Sequence, residues 1–143
     1  EVTIPCHDPS SREAEDIQAE MLRRLYTIWF SVPNMEAIVY WNLVDGYAYN
    51  ARPGDFSTGE NKLAGGLMRF DLTPKPALAV LKKLFCEEFH TEASLSTGDA
   101  GRARFKGFFG NYDVEITANG KSETRSIHLE KTADANPVFT FTI

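Results

Sequence analysis

The order of the elements predicted for residues 1–90 is the feature that most constrains how this chain can fold. It reads strand, helix, strand, loop, helix, which is a βαβα unit. Because the strands of such a unit run parallel, this order predicts a parallel sheet covered by helices. Two strands alone do not make a stable parallel sheet. Residues 1–90 are therefore expected to need further strands.

Two short apolar segments supply the predicted strands. "EVTIP" at residues 1–5 suits a short strand that ends at Pro5. "AIVYW" at residues 37–41 is an uninterrupted apolar run, which is typical of a strand buried on both faces. Both segments are thus expected to lie inside a layered α/β structure.

Two amphipathic helices accompany these strands. The first is predicted from about Arg12 to about Phe30, starting at a capping box of Ser10 and Glu13. The second occupies "TPKPALAVLKKLFCEEF", with Pro76 in its first turn. Their core-facing positions are predicted to be Ile17, Met21, Leu25, Ile28 and Trp29 in the first helix, and Leu78, Leu81, Leu84 and Phe85 in the second.

The helical pattern disappears after residue 90, and residues 91–143 read as a small antiparallel β domain. Apolar residues alternate with polar ones in "NYDVEITA", and Asn119-Gly120 is a strong signal for a two-residue hairpin turn. "VFTFTI" at residues 138–143 alternates in the same way. Together these segments predict a β-sandwich that follows the α/β part.

Charge and hydropathy exclude two classes of partner. The formal net charge is −5, and no cluster of Lys and Arg interleaves with aromatic residues, so we expect no nucleic acid partner. No apolar run approaches the roughly 20 residues that span a bilayer, so we expect no membrane partner. The chain starts on Glu1 instead of Met, so the lack of a signal peptide says little about its compartment.

The segment "YWNLVDGYAY" resembles the eighth-strand segment of glycoside hydrolase family 10, the xylanases with a TIM barrel. Trp41, Asp45, Tyr47 and Tyr49 fall on that family's pattern, although the family usually carries Trp where this chain has Tyr49. "GLMRFDLTPKPAL" is similar to the stretch that leads into the family's last helix. The start, "EVTIP", is similar to the seventh strand but has Thr3 where Asp is usual.

The resemblance implies a fold and an origin for the chain. Residues 1–90 would be the seventh and eighth βα units of a TIM (β/α)8 barrel, and residues 91–143 a small antiparallel β-sandwich. The chain would be the C-terminal fragment of a retaining glycosidase that cleaves β-1,4-xylan or a related plant polysaccharide. It would be inactive alone, because the acid/base glutamate belongs to a missing strand. A secreted or cell-surface location would follow from the family.

The resemblance also assigns site residues. Glu1 would be the catalytic nucleophile; otherwise it is a disordered terminal residue. Trp41 and Tyr49 would bind substrate as flat platforms for sugar rings; otherwise they pack in the core. Asp45 precedes Gly46, and we expect it to fix the loop by bonding to backbone instead of taking part in catalysis.

We predict no cofactor and no metal site. His7 and Asp8 lie beside Cys6, but no second pair of ligands accompanies them at metal spacing. Cys6 follows a predicted strand and Cys86 ends a predicted helix, which in the implied barrel places them at opposite ends. We therefore expect two free thiols and no intramolecular disulfide.

The sequence also leads us to expect two partners for this chain and leaves one alternative function open. The resemblance implies a xylan-like polysaccharide as the substrate, and open strand edges favour self-association unless the β domain keeps the chain soluble. The alternative is a non-catalytic carbohydrate-binding or structural β module. Exposed coplanar rings would favour sugar binding by that domain, but we expect most of them to be buried. The rings concerned are Phe105, Phe108, Phe109 and Tyr112.

Overall fold

The computed structural model describes residues 1–131 and 136–143 of the 143-residue chain. The chain divides into two compact units, Glu1–Glu88 and Phe89–Ile143. Its elements, in chain order, are helix α1 (Arg12–Ser31), a 3₁₀ helix (Gly59–Leu63), helix α2 (Pro76–Lys83), a π-helical turn (Leu84–Glu88), strand β1 (Gly110–Ala118) and strand β2 (Lys121–Leu129). No helix in the described ranges is long and apolar enough to cross a membrane.

The extent of α1 agrees with the prediction, but its cap lies one residue later than expected. Ser11, and not Ser10, is the N-cap, and its hydroxyl accepts a hydrogen bond from the backbone N–H of Ala14 at 3.3 Å. Glu13 and Glu15 lie in the first turn, where the helix dipole favours negative charge. The local sequence is thus sufficient to start this helix.

The predicted inner face of α1 is wrong. Ile17, Met21 and Ile28 are all exposed. The buried positions are Ala14, Glu15, Gln18, Ala19, Leu22 and Tyr26. Gln18 in this stripe is only partly satisfied: its Nε2 donates to the carbonyl of Ile4 at 2.8 Å, whereas its buried Oε1 has no hydrogen-bond partner in the described part of the chain.

The predicted parallel sheet and the TIM-barrel units are also wrong. In the described part of the first unit, the parallel pairings are isolated bridges between Val2 and Tyr40 and between Val44 and Met68. Residues 37–41 form no strand, and Val39 is exposed. The backbone pairing in the first unit consists of isolated bridges, which are too few to form a sheet. Self-association through the resulting edges stays a prediction.

The second unit contains the predicted hairpin but not the predicted sandwich. Ala118 pairs with Lys121 across Asn119 and Gly120, both of which have positive φ, as a two-residue hairpin turn requires. Residues 138–143 form no strand, and Val138 is highly exposed. The described sheet of this unit therefore has two antiparallel strands.

A buried ion pair joins three separate segments of the first unit. Lys75 Nζ lies 2.8 Å from Asp45 Oδ2, with the two side chains 0% and 3% exposed. Lys75 Nζ also donates to the carbonyls of Ala64 at 2.8 Å and Gly66 at 3.3 Å, while Asp45 Oδ1 accepts from the N–H of Gly66 at 2.7 Å. Both charges are thus paired and hydrogen-bonded, as burial requires. The expectation that Asp45 fixes backbone is confirmed.

Two further sets of hydrogen bonds join separate segments of the first unit. Glu15 is buried and accepts two hydrogen bonds from Arg69, at 2.7 Å and 2.5 Å, which joins α1 to the segment before α2. The hydroxyl of Tyr40 donates to the carbonyl of Gly65 at 2.6 Å, and burial raises the pKa of Tyr40 to about 12. Side chains thus make the long-range connections that a sheet would otherwise make.

We expect the Lys75→Met substitution to destabilise the first unit strongly, because Asp45 would keep a buried charge without its partner. The expected loss is about 3–5 kcal/mol in the free energy of unfolding, measured by urea denaturation. Lys83→Met, at an exposed lysine of the same helix, is the matched control and should have little effect. Equal stabilities of the two variants would contradict the role assigned to Lys75.

We expect the two cysteines to differ sharply in reactivity. Both are free: Cys6 is buried, which raises the pKa of its thiol, and Cys86 is exposed. An aromatic disulfide reagent should therefore modify Cys86 in the folded protein and Cys6 only after unfolding. The Cys86→Ser variant isolates Cys6, and its rapid labelling without denaturant would refute the burial.

Candidate functional site

Trp41 is partly exposed and held at its polar edge. The indole Nε1 donates to Glu60 Oε2 at 2.8 Å, while the side chain remains 40% exposed. The same Glu60 oxygen accepts from Asn42 Nδ2 at 3.1 Å. Asn42 has a φ of +66°, a left-handed conformation that Asn tolerates better than most residues. The ring is thus fixed by its edge while part of its surface faces solvent.

Asn61, which follows Glu60 in the 3₁₀ helix, binds the backbone of the segment that carries Tyr47 and Tyr49. Asn61 is buried, and its Oδ1 accepts from the N–H of Ala48 at 2.8 Å. Ala48 lies between two exposed tyrosines, Tyr47 and Tyr49. Glu60 and Asn61 therefore connect both aromatic segments to one short helix.

Asn61 also orders the loop before that helix. Its Nδ2 donates to the carbonyls of Arg52 and Asp55, each at 3.1 Å. Asp55 accepts from the hydroxyl and the N–H of Ser57, and these bonds lower the pKa of its carboxyl group. The loop is thus built from local turns that are tied to one buried amide.

Tyr47 belongs to a group of three rings. Its ring stacks on Phe70, with centroids 5.0 Å apart and planes inclined by 20°, and Phe70 meets Phe56 edge-on at 6.5 Å. Gly46 and Gly54 make room for Phe70: a Cβ on Gly46 would come within 2.8 Å of that ring. Glycine is therefore needed here to let a ring lie on backbone.

The structure places the predicted substrate-binding residues Trp41 and Tyr49 at the surface. Tyr49 is 78% exposed and Trp41 is 40% exposed, so neither is a core residue. Glu1 is also exposed, one residue before the Val2 bridge. Its assignment as nucleophile rested on the resemblance alone and stays a prediction.

Sequence reasoning missed Glu60, Asn61 and Asn42. They lie in or beside a polar, glycine-containing loop, where Glu and Asn are expected to be solvated. The usable signal was weak: a partly exposed Trp needs a partner for its indole N–H, and a carboxylate is a strong acceptor. The acceptor, Glu60, lies 19 residues from Trp41, so the local sequence pattern could not identify it.

This region offers polar side chains but little enclosed space. The hollow between Asn42, Asp45 and Glu60 is too narrow to admit a water molecule. Asp45 is occupied by Lys75 and Gly66 and is buried. Within residues 1–131 and 136–143, no group of three His, Cys, Asp or Glu side chains could hold a metal ion.

The aromatic residues of the second unit are arranged differently. Phe105, Phe108 and Phe109 are exposed, so the expectation that most of these rings are buried is wrong. Phe105 is inclined by 61° to Tyr112, so these two rings are not coplanar.

The chain has a distant similarity to a known protein. No protein-family model matches the chain. The chain is similar to a protein of Acetivibrio thermocellus named anti-sigma-I factor RsgI6, with 27% identity over 106 residues. The matched region is 74% of this chain but only 12% of that protein.

These comparisons correct the family assigned from sequence. The similarity is to a protein named as an anti-sigma factor, and no family model connects the chain to glycoside hydrolases. The assignment to glycoside hydrolase family 10, the function as a xylan-cleaving fragment and its alternative as a β module are therefore not upheld. What the comparisons support is a weak relationship to a regulatory protein.

Proposed function

We propose that this chain is a ligand-binding part of a larger regulatory protein, and that Trp41 and Tyr49 present a polysaccharide-binding surface. The observation that carries this proposal is the fixed, partly exposed indole of Trp41. Its edge is bound by Glu60 at 2.8 Å, so the ring keeps one orientation without being buried. Preorganising a ring in this way reduces the entropy lost when a ligand stacks on it.

Exposed aromatic rings suit sugars because both partners are amphipathic. The apolar face of a pyranose can cover a ring, while its hydroxyl groups reach polar atoms at the ring edge. Here the polar atoms are the Glu60 carboxylate and the Asn42 amide. Tyr49 offers a second exposed ring in the segment that Asn61 holds. A ligand with repeated rings would use both.

The regulatory part of the proposal rests on the distant relative. That protein is named an anti-sigma-I factor, and this chain matches 12% of its length. A segment of this size is more consistent with one module of a regulator than with the whole regulator. We propose that the chain senses a ligand and that other parts of the protein carry out the regulation.

We propose that this surface binds a polysaccharide and does not cleave it. Two carboxylates about 5 Å apart are needed for retaining hydrolysis, or about 6.5–9.5 Å apart for inversion. The buried carboxylate of this region, Asp45, is neutralised by Lys75 and is not available to a sugar. Glu60 holds Trp41 and Asn42 through one oxygen, which leaves its other oxygen to accept a hydrogen bond from a sugar hydroxyl. These constraints favour a surface that holds a chain without cutting it.

We expect Trp41→Ala to weaken binding of a soluble β-1,4-xylan by at least about tenfold, because the stacking surface is lost. Isothermal titration calorimetry on the whole chain measures this, with urea denaturation of the same samples as a folding check. Trp29→Phe, a change in α1 that keeps a ring against Tyr26, is the matched control. Unchanged affinity in folded Trp41→Ala protein would exclude the proposed surface.

A further inference from the structure

One oxygen of Glu60 organises the exposed side of the aromatic site. Glu60 lies in the first turn of the 3₁₀ helix, and its Oε2 accepts from both Trp41 Nε1 and Asn42 Nδ2. In the described part of the chain, Oε1 has no hydrogen-bond partner, and no Lys, Arg or His forms an ion pair with this carboxylate. No ion pair in the described part of the chain therefore neutralises this carboxylate at the edge of the indole.

We infer that Glu60 positions Trp41 and makes this surface select neutral over acidic polysaccharides. The inference rests on the polysaccharide-binding function proposed above and assigns that function a charge preference. The free Oε1 can accept a hydrogen bond from a hydroxyl group of a neutral sugar stacked on Trp41. A carboxylate on the ligand at the same place would meet a like charge.

The geometry makes the positioning role specific to this residue. Glu60 binds two donors that are adjacent in the chain, and Asn42 reaches it through a left-handed backbone turn. Removing the carboxylate would free both the indole edge and the amide. Hydrogen bonds to a charged acceptor are roughly twice as strong as neutral ones, so the carboxylate holds the ring better than an amide.

The charge preference follows from simple electrostatics. Like charges placed opposite each other at a binding surface disfavour the wrong partner, and an exposed pair is screened by salt within about 10 Å at 0.1 M ionic strength. Lys62 is exposed in the same short helix, but no ion pair joins it to Glu60. The preference should therefore weaken as salt is added.

Two substitutions separate positioning from charge. Glu60→Ala removes both the acceptor and the charge, whereas Glu60→Gln keeps an acceptor oxygen and removes only the charge. Both are made in a Trp29→Phe background, so that Trp41 is the sole tryptophan and its fluorescence reports on the ring. Glu13→Gln, at an exposed glutamate of α1, controls for the change in net charge.

The probes are hydroxyethyl xylan and carboxymethyl xylan, which share a backbone and differ in charge. We expect the parent to bind the neutral probe at least about tenfold more tightly, a difference of about 1.4 kcal/mol. Glu60→Ala should shift Trp41 emission, increase its quenching by acrylamide and weaken neutral binding. Glu60→Gln should restore most of that binding and the emission, and should bring the two probes within about threefold.

The outcomes distinguish this inference from the function on which it rests. If Trp41→Ala abolishes neutral binding but Glu60→Gln leaves the discrimination intact, the charge preference is wrong and the binding surface stands. If Glu60→Ala leaves Trp41 emission and quenching unchanged, the positioning role is wrong. If the parent binds neither probe, both the surface and the inference are overturned. A loss of discrimination in Glu13→Gln would also refute the assignment to Glu60.

Discussion

The buried pair of Asp45 and Lys75 is the interaction on which the first unit depends. It brings together the loop after residue 44, the segment around Gly66 and the start of α2. Each charge is paired and hydrogen-bonded, and both side chains bond to the backbone of residues 64–66. The pair therefore specifies which segments meet, in a unit where half of the described buried apolar residues are Ala or Cys.

This arrangement explains how the unit forms without a sheet. Its parallel pairings are isolated bridges, so few backbone groups are joined by a ladder. Side chains of Gln18, Tyr40 and Asn61 instead bond to backbone atoms far away in sequence. Such contacts require particular residues at particular places, whereas a ladder requires only extended backbone.

The sequence correctly predicted structural features that depend on residues close together in the chain. The extent of α1 and the turn at Asn119-Gly120 follow from local signals, and both are present. The inner face of α1 was mispredicted because Gln18 is buried by a partner 14 residues away. The burial of Lys75 could not be predicted, because its partner lies 30 positions earlier and leaves no local pattern.

The same limit applies to the candidate site. Trp41 and Tyr49 could be chosen from their residue type, and the structure places both at the surface. Glu60 and Asn61 could not be chosen from their residue type, because an acid and an amide in a polar loop are usually solvated. The family resemblance rested on short motifs, which the comparisons with known proteins do not support.

The adjacency of Glu60 and Asn61 has a consequence for how this loop can vary. The two side chains point to different surroundings: one is exposed beside an indole, and the other is buried among backbone groups. Inserting one residue before Glu60 would shift a carboxylate towards the place of the buried amide, where it could accept from Ala48 but not donate to Arg52 or Asp55. Length changes in this loop are thus far less tolerable than substitutions on its outer surface, so the loop's length is itself a structural requirement.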